Sequence, residues 1–428
     1  MPRKKTEEVF GISNTVLADS YIDRGNLDEE IRRLLLRTTH IALRGESKCG
    51  KSWLRQKNVP NALVVQCRYG KTVKDIYIDA LSQLGIKFTT EESSSSSIKG
   101  HIEAETSIGI NLLVKLGFKS ILEAGQDSGV KKQSVGQDIN DLRFIADILI
   151  ASERKLVIED FHYLSIIERT NFAFDLKALW DYGCFIMIIG VWSQSNLITY
   201  INPDLSGRII EKSIYWSKPD LDAVINKGAA ALKLNFSKEM HELLVSNCFE
   251  NVGILQHLLL LLLDEARIFE EQKQICKISN MDYYTSAAMK YADQLNAVYQ
   301  QFARRVSAGI RNRKDTTGIY AHAMAVIVDA DDDKLLNGLK LDDIYQITHG
   351  RQPRIQYGNL RTILRKLEEL QVDSEGRGLV IAFNESNDEV TAVDRQLLFY
   401  RKYLTVKWPW ENLIEELSFE ERDYNIEK

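Results

Sequence analysis

Up to residue 215, apolar residues fall into short runs set between longer stretches of helical periodicity. The runs His40–Leu43, Ala62–Gln66, Lys155–Ile158, Cys184–Gly190 and Ile209–Tyr215 are bounded by polar or turn residues, the pattern of buried strands. Between them, residues 73–84, 138–152 and 165–181 repeat apolar positions every third or fourth place, and a similar pattern at Leu27–Leu36 leads into the first run. Strands alternating with helices predict an α/β fold with a parallel sheet covered on both faces.

Residues 89–135 interrupt the alternation. Thr89-Thr90-Glu91-Glu92 and a run of serines lead into a segment that alternates from His101 to Leu112. Ile102, Ala104, Thr106, Ile108, Ile110 and Leu112 take one side, and Glu103, Glu105, Ser107 and Asn111 the other. Period two predicts a half-buried strand, one arm of a hairpin reaching toward Ser120. The segment reads as a surface insertion on its own domain, or as a protruding element for a neighbouring subunit or ligand.

From Pro219 to about Gly309 the pattern is helical, without strand signals. Beyond residue 315, helices are predicted at 319–329, 340–348 and 357–371. Strand Leu379–Phe383, turn Asn384–Asp388 and strand Val390–Val393 follow. Three helices and a two-stranded hairpin outline a winged helix, and residues 409–428 form an acidic, solvated tail.

Composition narrows the classes. With 428 residues, 44% hydrophobic and 27% charged, the chain is an ordinary globular protein large enough for several cores. A net charge of −5 confines nucleic-acid contact to local patches. The five cysteines (Cys49, Cys67, Cys184, Cys248, Cys276) lack disulfide or zinc spacing, and the histidines are dispersed. The N-terminus lacks the apolar stretch of a signal peptide, and the longest apolar run, Leu258–Leu263, is too short to span a bilayer. A cytoplasmic protein with no membrane partner is expected.

Residues 45–52 read Gly-Glu-Ser-Lys-Cys-Gly-Lys-Ser, a complete G-x-x-x-x-G-K-[ST] loop between an apolar run and the helical start Trp53-Leu54-Arg55. Glycines let backbone N–H groups close around phosphate oxygens, at the positive end of the following helix. Gly45, Glu46, Ser47, Lys48, Cys49, Gly50, Lys51, Ser52 and Trp53 are therefore the predicted lining of a nucleoside-triphosphate site. Lys51 would reach the β- and γ-phosphates, and Ser52 would offer its hydroxyl to Mg²⁺. Such a loop needs carboxylates at the end of a neighbouring strand, and Leu156-Val-Ile-Glu159-Asp160 delivers two.

At this point the chain resembles the AAA+ ATPase superfamily, over about residues 15–310. The resemblance implies ATP and Mg²⁺ as cofactors, with Glu159 on the metal side and Asp160 as the base that polarises water. The superfamily usually has Asp before Glu, so the order here is reversed. It also implies a polar sensor at Ser193 or Gln194 and an arginine finger at Arg208, donated across the interface of a homo-oligomer. Ile22 and Arg24 match a segment that lines the adenine pocket in initiator-like members. The implied organisation is a nucleotide-binding core at 1–218 with the insertion 89–135, a helical lid at 219–314, a winged helix at 315–408 and a tail at 409–428. Where many members carry a lid arginine, this chain has Asn251-Val-Gly-Ile-Leu-Gln256.

Two acid-free basic groups stand out: Arg304, Arg305, Arg311, Arg313 and Lys314, then Arg351, Arg354, Arg361, Arg365 and Lys366. In the third helix of the winged helix, Leu360, Ile363, Leu364, Leu367 and Leu370 supply the buried stripe. Arg361, Arg365 and Lys366 are left outward for a major groove, with Arg377 at the wing tip for phosphate. The same architecture also serves protein contacts, and Glu368 and Glu369 follow directly. Core, lid and winged helix in this order resemble the replication-initiator and origin-recognition group. They also resemble STAND-like switch ATPases, including those of antiviral defence and transposition. The resemblance implies an oligomeric, ATP-hydrolysing switch acting on DNA or a DNA-associated partner. The alternative is a signalling scaffold with slow turnover that binds protein partners, its effector on another chain.

Overall fold

A computed structural model of the chain describes residues 3–91, 99–104, 106–117, 121–123, 132–135, 141–192, 195–308, 317–371 and 379–415. The chain divides into two compact bodies, one of Asp23–Gly45 and Gly50–Ile214, the other of Met1–Ile22, Glu46–Cys49 and Tyr215–Lys428.

The first body has strands β1 (His40–Arg44), β2 (Leu63–Gln66), β3 (Ile86–Glu91), β4 (Lys99–Ala104), β5 (Ile121–Glu123), β6 (Lys132–Val135), β7 (Leu156–Glu159), β8 (Met187–Gly190) and β9 (Ile209–Ser213). Its helices are α1 (Leu27–Leu35), α2 (Lys51–Asn58), α3 (Val73–Ser82), α4 (Ser107–Lys115), α5 (Leu142–Ala151), α6 (Ile166–Asp181) and α7 (Leu197–Ile201). The five-stranded sheet runs β2-β7-β8-β1-β9, and every pairing in it is parallel. All positions of β7 and β8 are buried, as a central parallel strand covered on both faces requires, whereas edge strand β9 is half-buried throughout. The expected α/β architecture is present, with one correction to its layout. The acidic strand β7 does not adjoin the loop strand β1, because β8 lies between them.

The insertion also departs from expectation. A second, antiparallel sheet runs β3-β4-β6-β5. Residues 101–112 are not one strand: β4 ends at Ala104, and Thr106 caps α4 by accepting a hydrogen bond from the Gly109 N–H. The helical stripe Gly109, Leu112 and Leu113 is buried while Ile108 is 61% exposed. A Thr cap followed by i, i+3, i+4 burial outweighs the period-two reading of the same letters. The hairpin that does form pairs β4 with the preceding β3, not with a strand toward Ser120.

In the second body, α8 (Lys218–Leu232), α9 (Lys238–Asn247), α10 (Val252–Glu265) and α11 (Met281–Ala308) form the helical stretch. It is not strand-free: β10 (Leu234–Phe236) and β11 (Cys276–Ile278) pair in parallel. Three-residue strands are too short to leave a periodic signal. Further on lie α12 (Ile319–Asp329), α13 (Asp332–Asn337), β12 (Leu339–Lys340), α14 (Leu341–Arg351), α15 (Tyr357–Arg365), α16 (Leu367–Gln371), β13 (Ile381–Asn384), β14 (Glu389–Ala392) and α17 (Gln396–Tyr403). The small antiparallel sheet β12-β14-β13 with these helices is winged-helix-like. The expected third helix breaks at Lys366 into α15 and α16.

Candidate functional site

The loop between β1 and α2 turns through two left-handed residues, Lys48 (φ 61°) and Gly50 (φ 86°). Gly50 adopts this geometry without the Cβ penalty and serves as the N-cap of α2, so Lys51 and Ser52 occupy the first turn. The Lys51 ammonium is buried and donates to the Gly45 carbonyl at 2.9 Å, folding back over the loop that it closes. Ser52 is exposed and Trp53 half-buried.

In a parallel sheet the chain leaves β1 and β7 at the same edge, which brings the loop and the acidic pair to one side of the first body. Glu159, the last residue of β7, is 5% exposed and receives the Arg55 Nε at 3.1 Å. Asp160 has a left-handed backbone (φ 57°), which Asp tolerates better than most residues, and accepts from the Gln66 amide at 3.1 Å. His162 follows one turn on. Its Nδ1 accepts the Val191 N–H at 3.2 Å, so its proton sits on Nε2. Burial lowers the His162 pKa to about 4; the charge of Asp160 opposes the shift, and those of Lys51 and Arg169 add to it. Beside Glu159, Asp160, Lys51 and Arg55, the edge therefore carries an imidazole that stays neutral at neutral pH.

Residues Glu46–Cys49, the tip of the loop, make their contacts within the second body. Asn251 caps α10 through its Oδ1, which accepts from Gly253 N–H at 2.9 Å and Ile254 N–H at 3.2 Å. Its Nδ2 donates to the Ser47 carbonyl at 3.0 Å and to Glu46 at 3.4 Å. A Cβ on Gly253 would sit 2.4 Å from the Lys48 Cβ, so only glycine permits this approach. Trp216 Nε1 donates to the Cys49 carbonyl at 2.9 Å, and Lys48 Nζ to Gln396 Oε1 at 2.8 Å. Arg395, the N-cap of α17, forms ion pairs with Glu46 and with Glu250 and donates to the Phe249 carbonyl. Sequence reasoning did not find Arg395, Gln396 or Trp216, since nothing local marks a contact 167 to more than 340 residues away in sequence. Asn251 did carry a signal, an Asn directly before an apolar helical run.

Arg208 immediately precedes β9, and its carbonyl accepts from His40 N–H at the start of β1. It therefore lies at the sheet edge opposite Gly45. Its guanidinium stacks 4.8 Å over the Trp180 ring and donates to the Asp204 carbonyl. Ile22 is half-buried and Arg24 buried. Ser193, Gln194, Arg311, Arg313, Lys314 and Arg377 lie outside the described residues, as does the expected tail 409–428 from residue 416 on; at its start that tail is not solvated, since Trp410 is 1% exposed and stacks on Trp408.

The expected outward basic face is partly neutralised within the chain. Arg361 pairs with Asp388 at 2.9 Å and Arg365 with Glu385 at 3.0 Å, both acids in the turn between β13 and β14. Lys366 is exposed.

An oxygen-only donor set of Ser52 and Glu159 fits Mg²⁺, which takes one or two carboxylates and completes its shell with water and phosphate oxygens. Two left-handed residues in a G-x-x-x-x-G-K-S loop fit a phosphate chain. The strand order, with one strand between the loop strand and the acidic strand, is that of an AAA+-type α/β core. No family model and no curated protein matches the sequence. Among solved structures, the chain is similar to the Orc1 protein of Aeropyrum pernix in complex with DNA, at 10% identity and TM-score 0.37 over 94% of this chain and 95% of that one. It is similar to AMPPCP-bound DnaA from Aquifex aeolicus, at 13% identity and TM-score 0.35 over 82% and 89%. It is also similar to a STAND protein with a tetratricopeptide repeat sensor from Pyrococcus horikoshii, at 12% identity and TM-score 0.37 over 95% of this chain but 45% of that one. Among the described residues no helix is long and apolar enough to cross a membrane.

Proposed function

We propose that this chain is an ATP-binding and ATP-hydrolysing switch that works as a homo-oligomer on DNA or on a DNA-bound partner. The observation that carries the reading is the shared sheet edge of Lys51 and the Glu159-Asp160 pair. Lys51 would exchange the Gly45 carbonyl for phosphate oxygens, a stronger, charge-assisted acceptor. Ser52 and Glu159 would hold Mg²⁺, which when bound neutralises charge on the phosphate oxygens. Asp160 would orient the attacking water and take its proton. The Arg55 ion pair on Glu159 competes with the metal and supports slow turnover. Arg208, at the far edge of its own sheet, could reach a γ-phosphate only on another copy, which supports an oligomer.

A second reading is a STAND-like scaffold that binds protein partners. The ion pairs Arg361–Asp388 and Arg365–Glu385 favour it, because they occupy the cations that a phosphate backbone would need. Steady-state ATPase rates with and without double-stranded DNA, at low and physiological salt, separate the two, with Lys51→Ala as control. Stimulation lost at higher salt supports the DNA-engaged switch. ATP binding without any DNA response supports the scaffold.

A further inference from the structure

Helix α6 begins at the same sheet edge as Asp160, with Ser165 as its N-cap. Its inward stripe is Phe172, Ala173, Leu176 and Leu179, all 0% exposed. Three residues before Phe172, on the same helix face and in the first turn, stands Arg169. A row that otherwise buries only hydrocarbon thus ends in a guanidinium at the sheet edge. The Arg169 Nε is buried without a hydrogen-bond partner, and among the described residues the side chain has no ion pair. Arg55, by contrast, holds Glu159. Burial disfavours the charge on Arg169, yet arginine stays protonated in proteins. A half-buried cation whose Nε is shielded from water and unpartnered gains when an anion arrives. Arg169 and the Glu159-Asp160 pair both follow β7 at the sheet edge where the loop 45–52 leaves β1.

We propose that Arg169 is a phosphate-contacting residue of this chain's own nucleotide site, engaging the terminal phosphoryl group of ATP held by the loop 45–52. This rests on reading that loop as a nucleotide site. Arg169 supplies in cis a cation that Asn251 does not provide and that Arg208 cannot bring to its own loop. Because ADP lacks the terminal group, Arg169 distinguishes the two nucleotides.

The test uses the full chain as wild type, Arg169→Ala, Arg169→Lys and Lys51→Ala. Affinities for Mg²⁺-ATP and Mg²⁺-ADP, ATP turnover and the thermal midpoint are measured for each. Arg169→Ala is expected to bind ADP as wild type does but ATP about 10- to 100-fold more weakly. Its turnover is expected to fall on the order of 100-fold, with partial recovery in Arg169→Lys. Its thermal midpoint should hold or rise, since an uncompensated cation is removed. Equal weakening of ATP and ADP with a lowered midpoint would show a structural role and overturn the proposal. Unchanged ATP affinity and turnover in Arg169→Ala would overturn it too. A Lys51→Ala chain that binds ATP like wild type would instead sink the reading of the loop, and the proposal with it.

Discussion

The first body should lose stability in mild acid through a single buried imidazole. His40 opens β1 and is 0% exposed. Its Nδ1 accepts the Ile186 N–H at 3.0 Å, so Nε2 carries the proton and donates to the Leu176 carbonyl at 2.8 Å. Burial lowers its pKa from 6.5 to about 4; the Leu176 bond opposes the shift and the nearby Lys155 charge reinforces it. Below pH 6.5 the unfolded chain takes up a proton that the folded chain refuses, so stability is complete above that pH and is lost as pH falls toward 4. Integrating between these two values gives a loss of about 2 kcal/mol by pH 5. Other groups titrate as well, some with the opposite sign. Asp175 is raised by burial and gains stability in acid. The comparison is therefore with His40→Leu, in which all other titrations remain. At pH 7.5 that variant should be less stable by about 2–4 kcal/mol, because Leu176 O and Ile186 N–H lose their partner. At pH 5 the gap should close by about 2 kcal/mol. Urea unfolding at both pH values measures it. A gap that stays constant with pH would refute the argument that His40 is held neutral.

Three further substitutions bear on the site. Asp160→Asn should keep ATP affinity within a few-fold while turnover falls on the order of 100-fold or more, and Glu159→Gln should weaken the dependence on Mg²⁺; nucleotide titrations against metal concentration distinguish them. Arg208→Ala should abolish turnover, and mixing it with Lys51→Ala should restore part of it, because each chain supplies what the other lacks. Inactive mixtures despite confirmed co-assembly would count against action in trans.

Much of the first body was legible in the letters because its strands are buried on both faces. Uninterrupted runs such as Leu156–Ile158 and Met187–Ile189 have no other stable place, and their ends were located to within a few residues. Where one face meets solvent, the letters were ambiguous. His101–Leu112 satisfied a strand period over a stretch that the Thr106 cap turns into a helix. The strands β10 and β11 escaped notice because three residues hold no period.

The site divides the same way. Gly45–Ser52 and Glu159-Asp160 are local patterns, and a parallel sheet sends both to one edge whatever else the chain does. Loop chemistry, the acidic strand end and the alternation of strands and helices were thus determined by sequence alone, since backbone geometry and burial act over a few residues. Only the tertiary structure decided that β8 would separate the loop strand from the acidic strand. It alone brought Arg395 to Glu46, set Asn251 against the Ser47 carbonyl and set Arg361 and Arg365 against acids of the β13–β14 turn. It alone left the Arg169 Nε buried without a hydrogen-bond partner among the described residues. Charge pairing and desolvation depend on distance in space, and a sequence carries no record of which distant side chains will meet.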